Sequence, residues 1–417
     1  MNKHKVAQIS FICQAALEYL ISIIVSGSFL ATIAKALGMT DSLTGVISSF
    51  ISLGCLFQLV SLFLHPKREK TFIVIMSILN QLLFAALYVI PLANGSLPTK
   101  RAMFVMAIFG AYIIYYIAHP KKFTWLMSNI EDEHRGTFTA NKEIISLITG
   151  IIFQYAMSAV IDRFIESGNT QTAFIISAVV ISVTMLLHTV CLVITPSNDH
   201  EAHKVDMLKA FSAISGNKKV LKACLINVIY YIANYISLPF FSVYYINTLG
   251  FSLTTIFIIG MLSSISRIFA SRFLGKYADK KGFAALLEKC FIICGISILC
   301  FAFAAPNTNK ALTFIPIILY TLLHGISMGG INSGLSNIIF DYAPKHARSD
   351  ALALSQAISG LVGFLATLAV SPLVGFIQDN GNTLFGIPIY AQQLLAIISA
   401  IMFLFLSLYI KFRVKNK

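Results

Sequence analysis

Charge is what this sequence has least of. Asp, Glu, Lys and Arg make up 12% of its 417 residues, about half of the roughly 25% usual in soluble domains. Carboxylates are the scarcer sign, 17 against 31 Lys and Arg, so any that falls inside an apolar stretch asks for an explanation. The chain also lacks a glycine-rich phosphate loop ending in Gly-Lys-Ser/Thr, which excludes an ATP-driven machine. No Ser, Cys and His constellation argues for hydrolysis, and the chain does not read as an enzyme. The seven cysteines (13, 55, 191, 224, 290, 294, 300) lie in apolar runs without metal-ligand spacing and read as small hydrophobes. "HEAH" (His200 to His203) is one residue short of the zinc-protease spacing, so neither a metal nor a cofactor is expected.

What is there is apolar. Hydrophobic residues make up 57% of the chain and the mean hydropathy is +0.81, which in a long chain means lipid. At about 20 residues per crossing, runs broken by polar clusters place spans at 8–33, 42–64, 71–92, 102–127, 137–161 and 172–195. A second set follows at 220–246, 252–274, 284–305, 311–339, 351–377 and 388–411. The first run is too long for a signal-peptide core and lacks a small-residue cleavage pattern, so it reads as a retained helix. Residues 196–219 form the only candidate linker between an N-terminal bundle (1–195) and a C-terminal bundle (220–417). Within it "VDMLKAFSAI" reads as a short amphipathic helix on the membrane surface.

Alternate loops carry the basic residues: about 25 of the 31 Lys and Arg fall on one side. By the positive-inside rule that side, with both termini and the linker, is cytoplasmic. The excess therefore reads as topology and attraction to anionic lipid headgroups, with no nucleic-acid partner. The chain also repeats. A shift of about 213 residues lays "NIEDEHRGTFTANKEIISLITG" (129–150) on "YAPKHARSDALALSQAISGLVG" (342–363), with Arg135 on Arg348 and Gly150 on Gly363. Parallel six-span repeats are a known transporter plan. The same shift lays "HPKREK" (His65 to Lys70) on Ala278 to Phe283 of "GKYADKKGF" (Gly275 to Phe283).

"GKYADKKGF" resembles the loop of the major facilitator superfamily that reads glycine, three residues, aspartate, basic, any, glycine. Arg135-Gly136, and Pro344 with Arg348, resemble that family's other cytoplasmic connections. The likeness covers essentially the whole chain in topology. It implies an all-α polytopic membrane protein of twelve transmembrane helices in two pseudo-symmetric six-helix bundles, working as a monomer by alternating access. Gly275 and Gly282 would permit a sharp reversal. Asp279 would face the N-terminus of a neighbouring helix near Gly136 to Lys142, with Lys280 at the surface, so that Gly275, Asp279, Lys280, Gly282, Arg135 and Lys142 form a cytoplasmic latch. The first copy departs from the pattern, with Leu62 and Pro66 in place of glycine and aspartate.

An ionisable group at mid-bilayer costs several kcal/mol. Glu18 is the acidic residue that clearly falls inside a span, roughly 15 Å deep, and Arg267 lies around 12 Å deep in the eighth. Glu18 reads as a proton carrier, as the ion-pair partner of Arg267, or as a substrate contact. Polar side chains recur at helical spacing on four spans: Gln14, Glu18 and Ser22; Tyr112, Tyr115, Tyr116 and His119; Asn227, Tyr230, Tyr231 and Asn234; Tyr320, His324 and Asn332. In the family these spans, the first, fourth, seventh and tenth, line the central cavity. Such a lining suits a hydroxylated or aromatic solute. Asn80 and Gln81 in the third span and His188 in the sixth lie outside that expected cavity. The expectation is a secondary transporter, symporter or antiporter, moving a small organic solute with protons, in a bacterial-type cytoplasmic membrane. The alternatives are an uncoupled facilitator and a lipid or drug exporter of the same fold.

Overall fold

The computed structural model describes residues 3–64, 66–127, 129–130, 135–196, 216–343 and 348–415. The linker segment expected as a surface helix lies outside them. In hydrocarbon a backbone amide finds its partner only within the segment or a closed barrel, and the apolar runs accordingly become helices. They are α1 (Lys3–Ile24), α2 (Gly27–Ala36), α3 (Asp41–Ser48), α4 (Phe50–Phe63), α5 (Glu69–Val89), α6 (Leu97–Met127), α7 (Arg135–Glu166) and α8 (Thr170–Ile194). Then come α9 (Lys218–Val243), α10 (Leu253–Lys281), α11 (Phe283–Ala302), α12 (Lys310–Tyr342), α13 (Arg348–Asp379) and α14 (Ala391–Tyr409). Among the described residues, twelve stretches are long and apolar enough to cross a membrane. Among the described residues the only strands are β1 (Thr383–Leu384) and β2 (Ile387–Pro388), an antiparallel pair with Thr383 opposite Pro388.

The apolar run over 8–33 is not one span. Helix α1 ends at Ile24 and α2 starts at Gly27, because Ser26 is extended (φ −136°) and Gly27 takes φ +54°. The hydroxyls of Ser22 and Ser26 donate to the Tyr19 and Ser22 carbonyls, a back-bonding that competes with the helix ladder. Pro120 and Pro239, in contrast, lie inside continuous helices.

Helix α8 shows which solvent the fold answers to. Val179, Val183, Leu186 and Val190, spaced four, three and four apart, are all more than half exposed. Its other face buries Ser177, Thr184 and His188. Apolar out and polar in is the reverse of a soluble amphipathic helix, and it is stable when the surroundings are acyl chains.

By their contacts the residues form two compact units. One comprises Met1–Met39, Phe57–Lys204 and Ser252–Phe257, the other Thr40–Leu56, Val205–Phe251 and Ile258–Lys417. In the first unit α1 packs on α7 and α8, and α5 packs on α6 and α8. In the second, α9 packs on α13 and α14, α11 packs on α12 and α14, and α3 lies against α9 and α13. Counted in spans, the pairings one with five and six, and three with four and six, recur as seven with eleven and twelve, and nine with ten and twelve. The repeated glycines make equivalent contacts. A Cβ on Gly150 would stand 2.3 Å from the Tyr19 ring of α1, and one on Gly363 would stand 3.0 Å from Tyr235 of α9.

The segment "GKYADKKGF" differs from its expected form. Helix α10 runs through Gly275 to Lys281, and open space surrounds Gly275. The reversal is made by Gly282 alone, at φ +82°, with its N–H on the Ala278 carbonyl at 2.7 Å. Asp279 and Lys280 therefore lie in the last helical turn, both exposed. The first copy has no helix over residues 66–68, where Pro66 offers no N–H donor.

Candidate functional site

Three helices of the first unit turn polar residues to one place. On α6, Tyr115, His119 and Lys122 recur at i, i+4 and i+7. On α5, Ser77, Asn80 and Gln81 recur at i, i+3 and i+4, and α1 contributes Glu18. Together with Met76 and Ala118 they line a small, partly open cleft with room for about one water molecule.

Its electrostatic centre is an ion pair. Lys122 Nζ donates to Glu18 Oε2 at 2.5 Å, and their side chains are 7% and 23% exposed. This replaces the expected pairing with Arg267, which is exposed on α10 in the second unit. Lys122 itself is buried. The reason is register: one turn beyond His119 on the same face, its four-carbon stem crosses to α1, where the half-buried Glu18 carboxylate offers the strongest available acceptor.

Beside the pair runs a buried relay. Gln81 Nε2 lies 2.9 Å from His188 Nδ1, and His188 Nε2 lies 3.1 Å from Gln14 Oε1. An amide N–H donates and an amide oxygen accepts, so His188 carries its proton on Nε2 and accepts at Nδ1. Asn80 Nδ2 donates to the Ala111 carbonyl of α6 at 2.8 Å, fixing α5 against α6. His119 lies between Tyr115, with centroids 5.1 Å apart, and Phe123 at 6.3 Å, so flat rings form one wall.

Of the residues expected from sequence, Glu18, Tyr115 and His119 line this cleft. Gln14 is buried in the relay behind it. Tyr112 packs edge-on against Phe84, Tyr116 packs on Tyr115, and Ser22 is exposed. Lys142 places its ammonium 5.6 Å from the Phe11 ring centroid, while the side chain of Arg135 lies outside the described residues. Lys122, Asn80, Gln81 and His188 were missed as site residues. The signal for Lys122 was its i+7 spacing from Tyr115. For the other three it was polarity in spans otherwise made of hydrophobes.

The second unit has its own polar face. Asn227 Nδ2 donates to Ser355 Oγ at 3.3 Å, while Asn227 Oδ1, Asn234 Oδ1 and His324 Nε2 are buried without partners among the described residues. Tyr230 sits in an aromatic cluster with Phe291 and Phe403, a packing role. Tyr231 stacks on Tyr235 with ring planes 14° apart. Tyr320 meets Phe241, Phe301 and His324, and Asn332 is exposed.

Two further carboxylates organise helix ends. Asp41, 7% exposed, accepts from Asn247 Nδ2 at 2.6 Å, Gln378 Nε2 at 2.7 Å and Gln392 Nε2 at 3.3 Å. Asp162 accepts from the backbone N–H groups of Leu253 and Thr254 at 2.9 and 2.7 Å, which satisfies the start of α10 and complements its dipole.

The sequence profile of the Major Facilitator Superfamily matches residues 9–367. None of the curated protein sequences matches the chain. Among solved structures, the nucleoside transporter NupG is similar with a TM-score of 0.72 at 15% identity, covering 100% of both chains. A mutant form of it reaches 0.77 at 14% identity, covering 98% of this chain and 100% of that one. A D-xylose-proton symporter gives 0.68 at 13% identity over 99% and 98% of the two chains. At such identities the likeness is one of fold.

Proposed function

The chain belongs to the Major Facilitator Superfamily, and on that premise we propose that it is a proton-coupled secondary carrier of nucleoside-like solutes. The observation that carries this reading is the Glu18–Lys122 pair set in a cleft with Asn80, Gln81, Tyr115 and His119. A buried ion pair costs desolvation on both members. A proton on Glu18, or a solute group taking its place beside Lys122, removes half the pair and shifts the balance between two conformations. The amides supply donors and acceptors for a hydroxylated ring, and Tyr115 and His119 supply flat faces for a heterocycle. Likeness in fold to a nucleoside transporter and to a sugar–proton symporter favours the same solute class.

In this proposal two halves, 1–195 and 220–417, rock about a midplane site and are joined by the linker 196–219. Both termini are cytoplasmic, and Asp279 belongs to the cytoplasmic latch. The competing reading is uncoupled facilitation. Uptake of labelled uridine, adenosine and xylose into proteoliposomes with an imposed pH gradient separates the two. A coupled carrier accumulates solute, and Glu18→Gln abolishes accumulation while keeping exchange. Accumulation absent in the wild type, or unchanged in Glu18→Gln, removes the coupling role.

A further inference from the structure

Gln81 is 3% exposed, and its two amide atoms have unequal fates. Nε2 is engaged by His188. Oε1 is buried and has no partner among the described residues. Gln81 lines the cleft, and its oxygen, splayed about 120° from the nitrogen by the sp² geometry of the amide, is turned away from His188 and is the atom of this side chain still to be paired. A buried acceptor without a donor costs about 1–3 kcal/mol, a cost that a ligand donor placed there would relieve.

The relay fixes which atom is offered. With Nε2–H of His188 donating to Gln14 Oε1, Nδ1 has only a lone pair to present, and the Gln81 amide must turn its N–H₂ towards it. The atom of Gln81 still to be paired is then an acceptor. We infer that Gln81 is a specificity-determining residue that selects a hydrogen-bond donor on the transported solute, with its polarity set by His188 and Gln14 behind it. This rests on the nucleoside-like reading above. A site built to receive a donor rejects the analogue lacking it far more strongly than an apolar pocket rejects a missing methylene.

The test is a ligand-by-side-chain cycle on purified full-length protein. Binding is measured for uridine, its 2′-, 3′- and 5′-deoxy analogues and 3-methyluridine, with wild type and with Gln81→Leu and Gln81→Met. One analogue is expected to bind the wild type about 5- to 150-fold more weakly than uridine, the range of one lost donor to a buried acceptor. The same analogue is expected to equal uridine in whichever of the two variants folds. A merely structural role would weaken every ligand by the same factor and leave the ratios intact, and unchanged ratios overturn the inference. If the wild type binds neither uridine nor adenosine, the nucleoside-like reading fails first and this inference falls with it.

Discussion

Replacing either member of the Glu18–Lys122 pair leaves the other as an uncompensated charge, and the structure sets the size of the effect. At 2.5 Å and an effective dielectric near 20, the direct attraction is about 7 kcal/mol. Desolvation offsets much of it, and removing one partner of a buried pair costs about 3–5 kcal/mol. Lys122 is nearly enclosed, but the Glu18 side chain keeps 23% of its exposure. Water screening therefore places the expected loss near the low end, about 3 kcal/mol for Lys122→Gln or Glu18→Gln. The double variant Glu18→Gln/Lys122→Gln has two neutral amides that bond to each other, and it is expected to lose less than either single one. The assay is thermal unfolding in detergent for all four proteins, closing a double-mutant cycle. Losses that add within about 0.5 kcal/mol would mean that the two residues do not interact, and the electrostatic account of the cleft would be wrong.

Further expectations follow from the packing. Gly275 sits in a helix with open space around it, so Gly275→Ala should raise stability by about 0.5–1 kcal/mol, whereas Gly282→Ala at φ +82° should lower it by about 1–2 kcal/mol; the melting shifts should have opposite signs. Gly150→Leu must displace Tyr19, 2.3 Å from the position of a Cβ, and should cost about 1–3 kcal/mol by overpacking, read as a lowered unfolding temperature. Asp41→Ala strands the three amide donors of Asn247, Gln378 and Gln392 and should destabilise by about 1.5–3 kcal/mol or more, since bonds to a charged acceptor are the strong ones; a melt within error of wild type would dismiss the cluster. Asp279→Asn should slow vesicle uptake while Pro66→Ala stays mild, and equal, negligible effects would remove the latch role.

The sequence by itself determined the solvent, the number of crossings and the duplication. Those properties follow from composition and period: an apolar run of about 20 residues has one stable answer in lipid, and a shift that lays Gly150 on Gly363 leaves its trace in residue identity. It also exposed Glu18, because a carboxylate in an apolar span is conspicuous wherever its partner lies. Which cation would answer it was decided only by the tertiary structure. Arg267 lay at a comparable depth by linear count, but depth along one helix carries no information about azimuth or about which helices adjoin. Packing of α1 against α7 and α8, and of α5 against α6 and α8, put Lys122 across from Glu18 and made one site of α1, α5 and α6 with α8 behind it. In the same way, the sequence placed a glycine at each end of "GKYADKKGF", but whether each turns the chain depended on backbone torsions. Gly275 took helical torsions inside α10, and Gly282, at φ +82°, broke the chain between α10 and α11.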